Sequence, residues 1–354
     1  MDQDPPFKHA KSEVPTLPRI IGIEDIWSAR DTLLVYVWLG WMVIAVSQET
    51  VVDYELTARI ATEAFGSDEI VFNPDRMKWL YERSFGQGTI VLAVTDNGAK
   101  VGQMALVRQT VQADGQACSA IQLVDLFLSK DHRNPQLVRH LYKEVEQFCA
   151  DGNIRFILAM PNKNAEPLNA RFLKLKPMLW LQVRAGIGLG PPSPSRLKYS
   201  GYLKSLTREQ AIDLLSGFNT PADENGLRWT AGVMFDRMGD PTCDYAVHAG
   251  ADLVLISSRR KTSGVSYVLL CGFFARPSAA VTSRNVRTLV GAACLFWRRP
   301  LFVYAGVNDR LPKLPGFPLP ARLRPPMLVQ LRDLGAGKAD THFSRFQLID
   351  SDFV

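Results

Sequence analysis

The apolar positions of this chain change period several times, and each change marks an element. In "TIVLAVTDNGAKVGQMALVRQTV" (89–111) two β-rich stretches flank Asp96-Asn97-Gly98, residue types that suit a tight hairpin turn. Residues 119–129, "SAIQLVDLFLS", read as a further strand interrupted by one acid, Asp125. Asn134 then predicts a helix cap with Pro135 in the first turn. Leu137, Val138, Leu141, Val145 and Phe148 follow at helical spacing until Asp151-Gly152 stops the helix. The nearly all-apolar "IRFILAMPN" (154–162) predicts a central strand buried on both faces. A short helix near 165–175 and the strand "MLWLQVRAGIG" complete the unit.

After the Pro/Ser-rich "GPPSPS" (190–195), read as a linker, the order partly repeats. Residues 253–274 read as a second hairpin, 283–297 as a helix, and 301–308 as an apolar strand that again ends on Asn. The stretches "ARFLKLKPMLWLQVR" (170–184) and "ARLRPPMLVQLR" (321–332) align with small gaps, which points to duplication of one α/β unit. The second copy is shorter by a strand and has Gly272 where the first has Asp125, so it reads as a structural or substrate-side half. The pattern predicts an α/β (α+β) chain with an N-terminal extension over 1–48, a first unit over 49–192 and a second over 196–354.

At 354 residues, 47% of them hydrophobic and 21% charged, the chain has room for two domains and a substantial core. Charge is uneven: 21 Lys/Arg face 13 Asp/Glu from Arg196 onward, against 20 and 22 before it, so the second half suits anionic partners. Five cysteines without a CxxC pair indicate reduced thiols in a cytosolic compartment, and five dispersed histidines suggest no metal site. The start, "MDQDPPFKHAK", lacks the pattern of a signal peptide. "LLVYVWLGWMVIAV" (33–46) is apolar but shorter than the roughly 20 residues a membrane span needs. It reads as a buried strand pair or core helix, or else as a patch that meets a membrane or an acyl chain, to which Trp38 and Trp41 are suited. The expected location is cytoplasmic, with peripheral contact to the inner membrane under the second reading.

Three marks, in order, resemble the GNAT acyltransferase superfamily: "WLYERSFGQG" (79–88), "VDLFLSKDHR" (124–133) and "AMPN" (159–162). The resemblance covers about residues 50–190 well and 205–354 faintly, and implies tandem units, each with a mixed, splayed central sheet flanked by helices. It also implies an N-acyltransferase that moves an acyl group from a thioester to a primary amine by direct attack, without a metal. The family's pyrophosphate loop is R/Q-x-x-G-x-G/A at a helix start, where small residues let backbone N–H groups approach phosphate. Here the loop reads Arg133-Asn134-Pro135-Gln136-Leu137-Val138: both glycines are gone and Pro135 lacks a donor. That leaves acyl-CoA, including a long-chain one, or an acyl carrier protein as donor.

On this resemblance Asp125 reads as the base that accepts the amine's proton, directly or through water, or else as an acid that bonds neighbouring backbone or pairs with an Arg. His132 is a second base candidate, and Tyr142 or a water protonates the leaving thiolate, or it leaves unaided. The helix after the central strand offers Phe172 where the family has a Tyr. The expected donor contacts are Leu126, Leu128, Lys130, Arg133, Gln136, Leu137, Val138, Arg139 and Asn162. Asn162 reads either as a partner of the pantetheine arm or as a strand-edge residue. Cys149 reads as core. The acceptor is expected to be a small amine, or a lipid-like amine such as a sphingoid base or an amino acid. A non-catalytic scaffold of the same fold is the reading from another class. Nucleic acid is not an expected partner, since no aromatic-interleaved basic stripe occurs.

Overall fold

The computed structural model describes residues 37–39, 42–66, 72–188, 197–335 and 341–352. Residues 1–36, Trp41 and the expected linker 190–195 lie outside them. The first half runs β1 (Val37–Leu39), β2 (Met42–Glu49), α1 (Tyr54–Phe65), α2 (Pro74–Glu82), β3 (Thr89–Asp96), β4 (Ala99–Ala113), β5 (Gln116–Leu128), α3 (Pro135–Asp151), β6 (Phe156–Ala159), α4 (Ala165–Phe172), β7 (Lys176–Leu181) and β8 (Val183–Ile187). β1 to β5 form an antiparallel ladder, and α3 carries the chain over to β6, which runs parallel to β5. Asn97 and Gly98 take φ of 48° and 83°, and Asp114 and Gly115 take 52° and 77°, so both hairpins turn through the left-handed region that these residues tolerate. Residues 44–48, assigned from sequence to an extension, instead pair with β3 as part of this sheet. The apolar face of α3, with Leu137, Leu141, Tyr142, Val145 and Cys149 buried, packs with Val94, Leu106, Ile121 and Ile157. β6 is buried at all four residues, as its sequence predicts.

The second half runs β9 (Tyr199–Tyr202), α5 (Arg208–Leu215), β10 (Gly226–Leu227), α6 (Ala231–Arg237), β11 (Tyr245–Ala249), β12 (Leu253–Thr262), β13 (Val265–Ala275), α7 (Ser283–Phe296), β14 (Leu301–Asn308), β15 (Phe317–Pro318), β16 (Met327–Asp333) and β17 (Arg345–Gln347). Its core repeats the first: β11, β12 and β13 are antiparallel, and α7 crosses over to β14, parallel to β13. The halves then exchange strands. β16 fits between β6 and β7, antiparallel to both, while β8 pairs with β14. The two aligned stretches therefore meet each other: Leu179 opposes Val329, Trp180 opposes Leu328 and Leu181 opposes Met327, about a local two-fold axis. The boundary near 192–196 divides the sequence, whereas each sheet is built by both halves.

In both halves the parallel pair parts after a few residues. The opening between β13 and β14 is filled by the C-terminal segment. β17 pairs with Gly306–Asn308 of β14, and Gln347 reaches across to β13. Its Oε1 accepts from the Phe273 amide at 2.8 Å and the Tyr304 hydroxyl at 3.1 Å, and its Nε2 donates to the Phe273 carbonyl at 3.1 Å. Gln347→Leu orphans the Phe273 N–H and the Tyr304 O–H in a dry core, so urea denaturation should show a loss of about 2–4 kcal/mol.

Candidate active site

The opening between β5 and β6 is not filled in this way. Pairing runs from Ala120–Phe156 to Leu123–Ala159 and ends there. Beyond that point lies a cleft of about 590 Å³, bounded by Leu126, Phe127 and Leu128 of β5, Arg133, Asn134, Pro135 and Val138 at the start of α3, Asn162, Asn164, Ala165, Leu168, Arg171 and Phe172 around α4, and Ala64 and Phe65 of α1. The cause is a bulge: Gln103 pairs with Phe127 and Ala105 with Val124, so Met104 alone faces Asp125 and Leu126. Asp125 takes φ 49°, a left-handed conformation that turns the strand away from β6.

Asp125 is half-buried and directly precedes cleft-lining Leu126 in β5, but is not itself among the residues that bound the cleft. Its Oδ2 accepts a hydrogen bond of 2.8 Å from the Tyr81 hydroxyl, which accepts one of 2.6 Å from Gln103 Nε2. Burial and the neighbouring Asp352 carboxylate raise its pKa to about 6, while the Tyr81 hydrogen bond and the Arg76 guanidinium act the other way. A carboxyl poised there gains and loses a proton near neutral pH.

Of the other candidates, Leu126, Leu128, Arg133, Val138 and Asn162 line the cleft. Asn162 Oδ1 is already used, accepting from the amides of Asn164 and Ala165 at 2.9 Å to start α4. The exposed Arg133 donates to the Leu128 carbonyl at 3.3 Å and to the Ala64 carbonyl, and the exposed Lys130 lies near Gly66. Both stand at the negative end of α1, which accounts for much of their charge. The Gln136 amide is capped by Asn134 Oδ1 at 2.7 Å. The Leu137 side chain is buried in the core, and exposed Gln136 and Arg139 do not line the cleft.

His132 and Tyr142 are not brought to the cleft. The His132 ring bridges Ser129 Oγ at 2.7 Å and Asp96 Oδ2 at 3.1 Å, which fixes the turn to the β3–β4 hairpin. Tyr142 is 1% exposed, and burial raises its pKa well above the usual phenol range. Its hydroxyl donates to Asn169 Oδ1 at 2.7 Å, and Asn169 in turn donates to Gln330 of the exchanged strand β16 at 3.1 Å. The sequence reading missed Phe65, Leu168, Arg171 and the Tyr81–Gln103 pair. Tyr81 sits in the quoted "WLYERSFGQG", where its apparent role was only entry into the sheet. Among the described residues no group of three or more His, Cys, Asp or Glu is placed to hold a metal ion, and no helix is long and apolar enough to cross a membrane. Tyr142→Phe should lower stability by about 1–2 kcal/mol in chemical denaturation and leave any turnover unchanged, because the hydroxyl serves the core.

No protein-family model matches the sequence, and none of the curated proteins does. Solved structures do match in three dimensions. A probable N-acyltransferase from Enterococcus faecalis aligns with TM-score 0.55 at 9% identity, over 83% of this chain and 73% of that one. A GCN5-related N-acetyltransferase from Anabaena variabilis aligns with TM-score 0.55 at 11% identity, over 82% and 73%. The N-myristoyltransferase of Saccharomyces cerevisiae, solved with bound myristoyl-CoA, aligns with TM-score 0.54 at 12% identity, over 91% and 85%. With its splayed parallel pair, crossover helix and mixed sheet, this chain has the fold of the GCN5-related N-acetyltransferases.

Proposed function

We propose that the chain is an acyl-CoA-dependent N-acyltransferase, with Asp125 as the base and the β5–β6 cleft as the donor site. The observation that carries this reading is the half-buried Asp125 carboxyl, with a pKa of about 6, next in the chain to the Leu126–Leu128 wall of an apolar cleft. The fold shared with acyltransferases, one of them solved with an acyl-CoA, supports the donor class. The unpaired strand edges beyond Leu123 and Ala159 offer backbone hydrogen bonds to a pantetheine arm, and Arg171, extended over the Phe172 ring at 5.3 Å, offers charge to phosphate.

The acceptor arrives as R–NH3+ and gives one proton to Asp125, freeing its lone pair. The amine nitrogen bonds to the thioester carbon, and the tetrahedral intermediate collapses with cleavage of the C–S bond. The nitrogen sheds a second proton to the thiolate, which leaves as the thiol, and Asp125 returns its proton to water. Asp125→Asn should cut turnover by about 10²–10⁴ while donor affinity holds. Wild-type turnover should rise with pH through about 6 as Asp125 ionises. The same raised pKa means folding favours the protonated acid, and that contribution is lost as pH rises through about 6. Asp125→Asn should therefore raise the melting temperature more at pH 8 than at pH 4.5.

One observation favours a rival. With Pro135 donorless and Gln136 capped, α3 offers phosphate less than the family's loop does, which suits a scaffold that binds no donor, or a carrier-protein thioester. Native mass spectrometry with acetyl-CoA, palmitoyl-CoA and an acylated carrier protein separates these. If acyl-CoA is the donor, Arg171→Ala should weaken its binding by about 1.5–3 kcal/mol, less at high salt. Titration calorimetry showing no acyl-CoA binding to the wild type would leave the scaffold or carrier-protein reading in place. The acceptor class, small amine or lipid-like amine, follows from which amines release free thiol.

A further inference from the structure

Gln103, Tyr81 and Asp125 form one hydrogen-bonded chain, from β4 through α2 to β5. Gln103 is 0% exposed and Tyr81 2%. A phenol has one proton to give. With Asp125 ionised, Tyr81 spends that proton on Oδ2, so it must accept from Gln103, which fixes which end of the Gln103 amide faces it. The cost is visible: Gln103 Oε1 is buried without a hydrogen-bond partner. Few buried polar atoms are left so, and here the fold accepts one to keep a donor aimed at Tyr81. Among the described residues, no bond from Asp125 Oδ1 is formed.

We propose that Tyr81 and Gln103 are positioning residues for the transfer: they hold Asp125 ionised through Oδ2 and leave Oδ1 to take the amine proton. The proposal rests on the acyltransferase reading. The charged and titratable groups around Asp125 set the direction of the effect. Asp352 of the C-terminal segment opposes ionisation, and Arg76 of α2, itself paired with Asp240 at 3.3 Å, favours it. Tyr54 of α1 packs on the Tyr81 ring at 6.1 Å and donates to Glu82, not to Asp125. Without the Tyr81 hydroxyl, burial and Asp352 are opposed by Arg76 alone, so Asp125 stays protonated to higher pH.

The test is the pH dependence of kcat/KM for the amine, in wild type, Tyr81→Phe, Gln103→Leu and the double variant. The wild-type acid limb should lie near 6. In Tyr81→Phe it should move up by about one unit, a loss of about tenfold on that limb that recovers toward pH 9. Gln103→Leu should move it the same way by less, and the double variant no further than Tyr81→Phe, since Gln103 acts through Tyr81. Equal loss at every pH, or an unmoved limb, would overturn the proposal. Carbon-13 NMR titration of the Asp125 carboxyl, assigned with Asp125→Asn, is independent of turnover. If the wild type acylates no amine, the acyltransferase reading fails. An Asp125 titration unmoved in folded Tyr81→Phe and Gln103→Leu would instead show that the hydrogen-bonded chain does not govern the acid.

Discussion

The parallel contact between β5 and β6 lasts four residue pairs and then breaks, and the rest of the site follows from that break. The bulge that causes it sets two residues of β5 against one of β4, with Asp125 in a left-handed conformation usually left to glycine. A strand that turns there cannot stay in register with a straight neighbour, so the pair diverges. Divergence opens the cleft, bares two strand edges and brings the start of α3 and the flank of α4 to opposite sides of one space. It also sets a carboxylate next to the cleft-lining residues of β5, because the residue in the left-handed conformation is Asp125.

The second half obeys the same constraint and resolves it differently. β13 carries a bulge at the matching place, where Ile256 pairs with Gly272 and Ser257 with Leu270. Bared backbone inside a protein must find partners. Here β17 and the Gln347 side chain supply them. Gly272 is required by this filling, since a Cβ on it would stand 2.7 Å from the Ile349 side chain. One opening is closed by protein and has Gly272 on its strand. The other leaves its edges unpaired beyond Leu123 and Ala159, next to Asp125. The strand exchange through β16 and β8 ties the closed half to the open one.

Local chemistry was readable in the sequence wherever the residues concerned are neighbours. The Asn97-Gly98 turn, the Asn134-Pro135 start of α3 and the apolar β6 all follow from residue type and period. Partners distant in sequence were not readable. An apolar period shows which face of a strand is buried, not which strand lies beside it, so the exchange was hidden even though β16 and its neighbour β7 lie in the matched stretches. Nothing in 130–139 shows that the end of α1 lies against Arg133 and Lys130, the residues read as donor contacts. Tyr142 misled for another reason. It falls on the buried stripe with Leu141, Val145 and Cys149, a signal present in the period but passed over for the chemistry of its hydroxyl.

Asp125 combines three features that each act against folding: a left-handed backbone, loss of hydration and a second carboxylate nearby. Glycine or asparagine would ease all or most of them. The groups that offset the cost are Tyr81, through a hydrogen bond, and Arg76, through its charge. These same groups pull the acid's pKa down from where burial alone would put it, to the range in which a carboxylate can take a proton from an amine and lose it again to water. Stability and reactivity are thus set by the same few contacts. A change that relaxed the strain would remove this carboxyl, and one that removed the compensation would leave it protonated to higher pH.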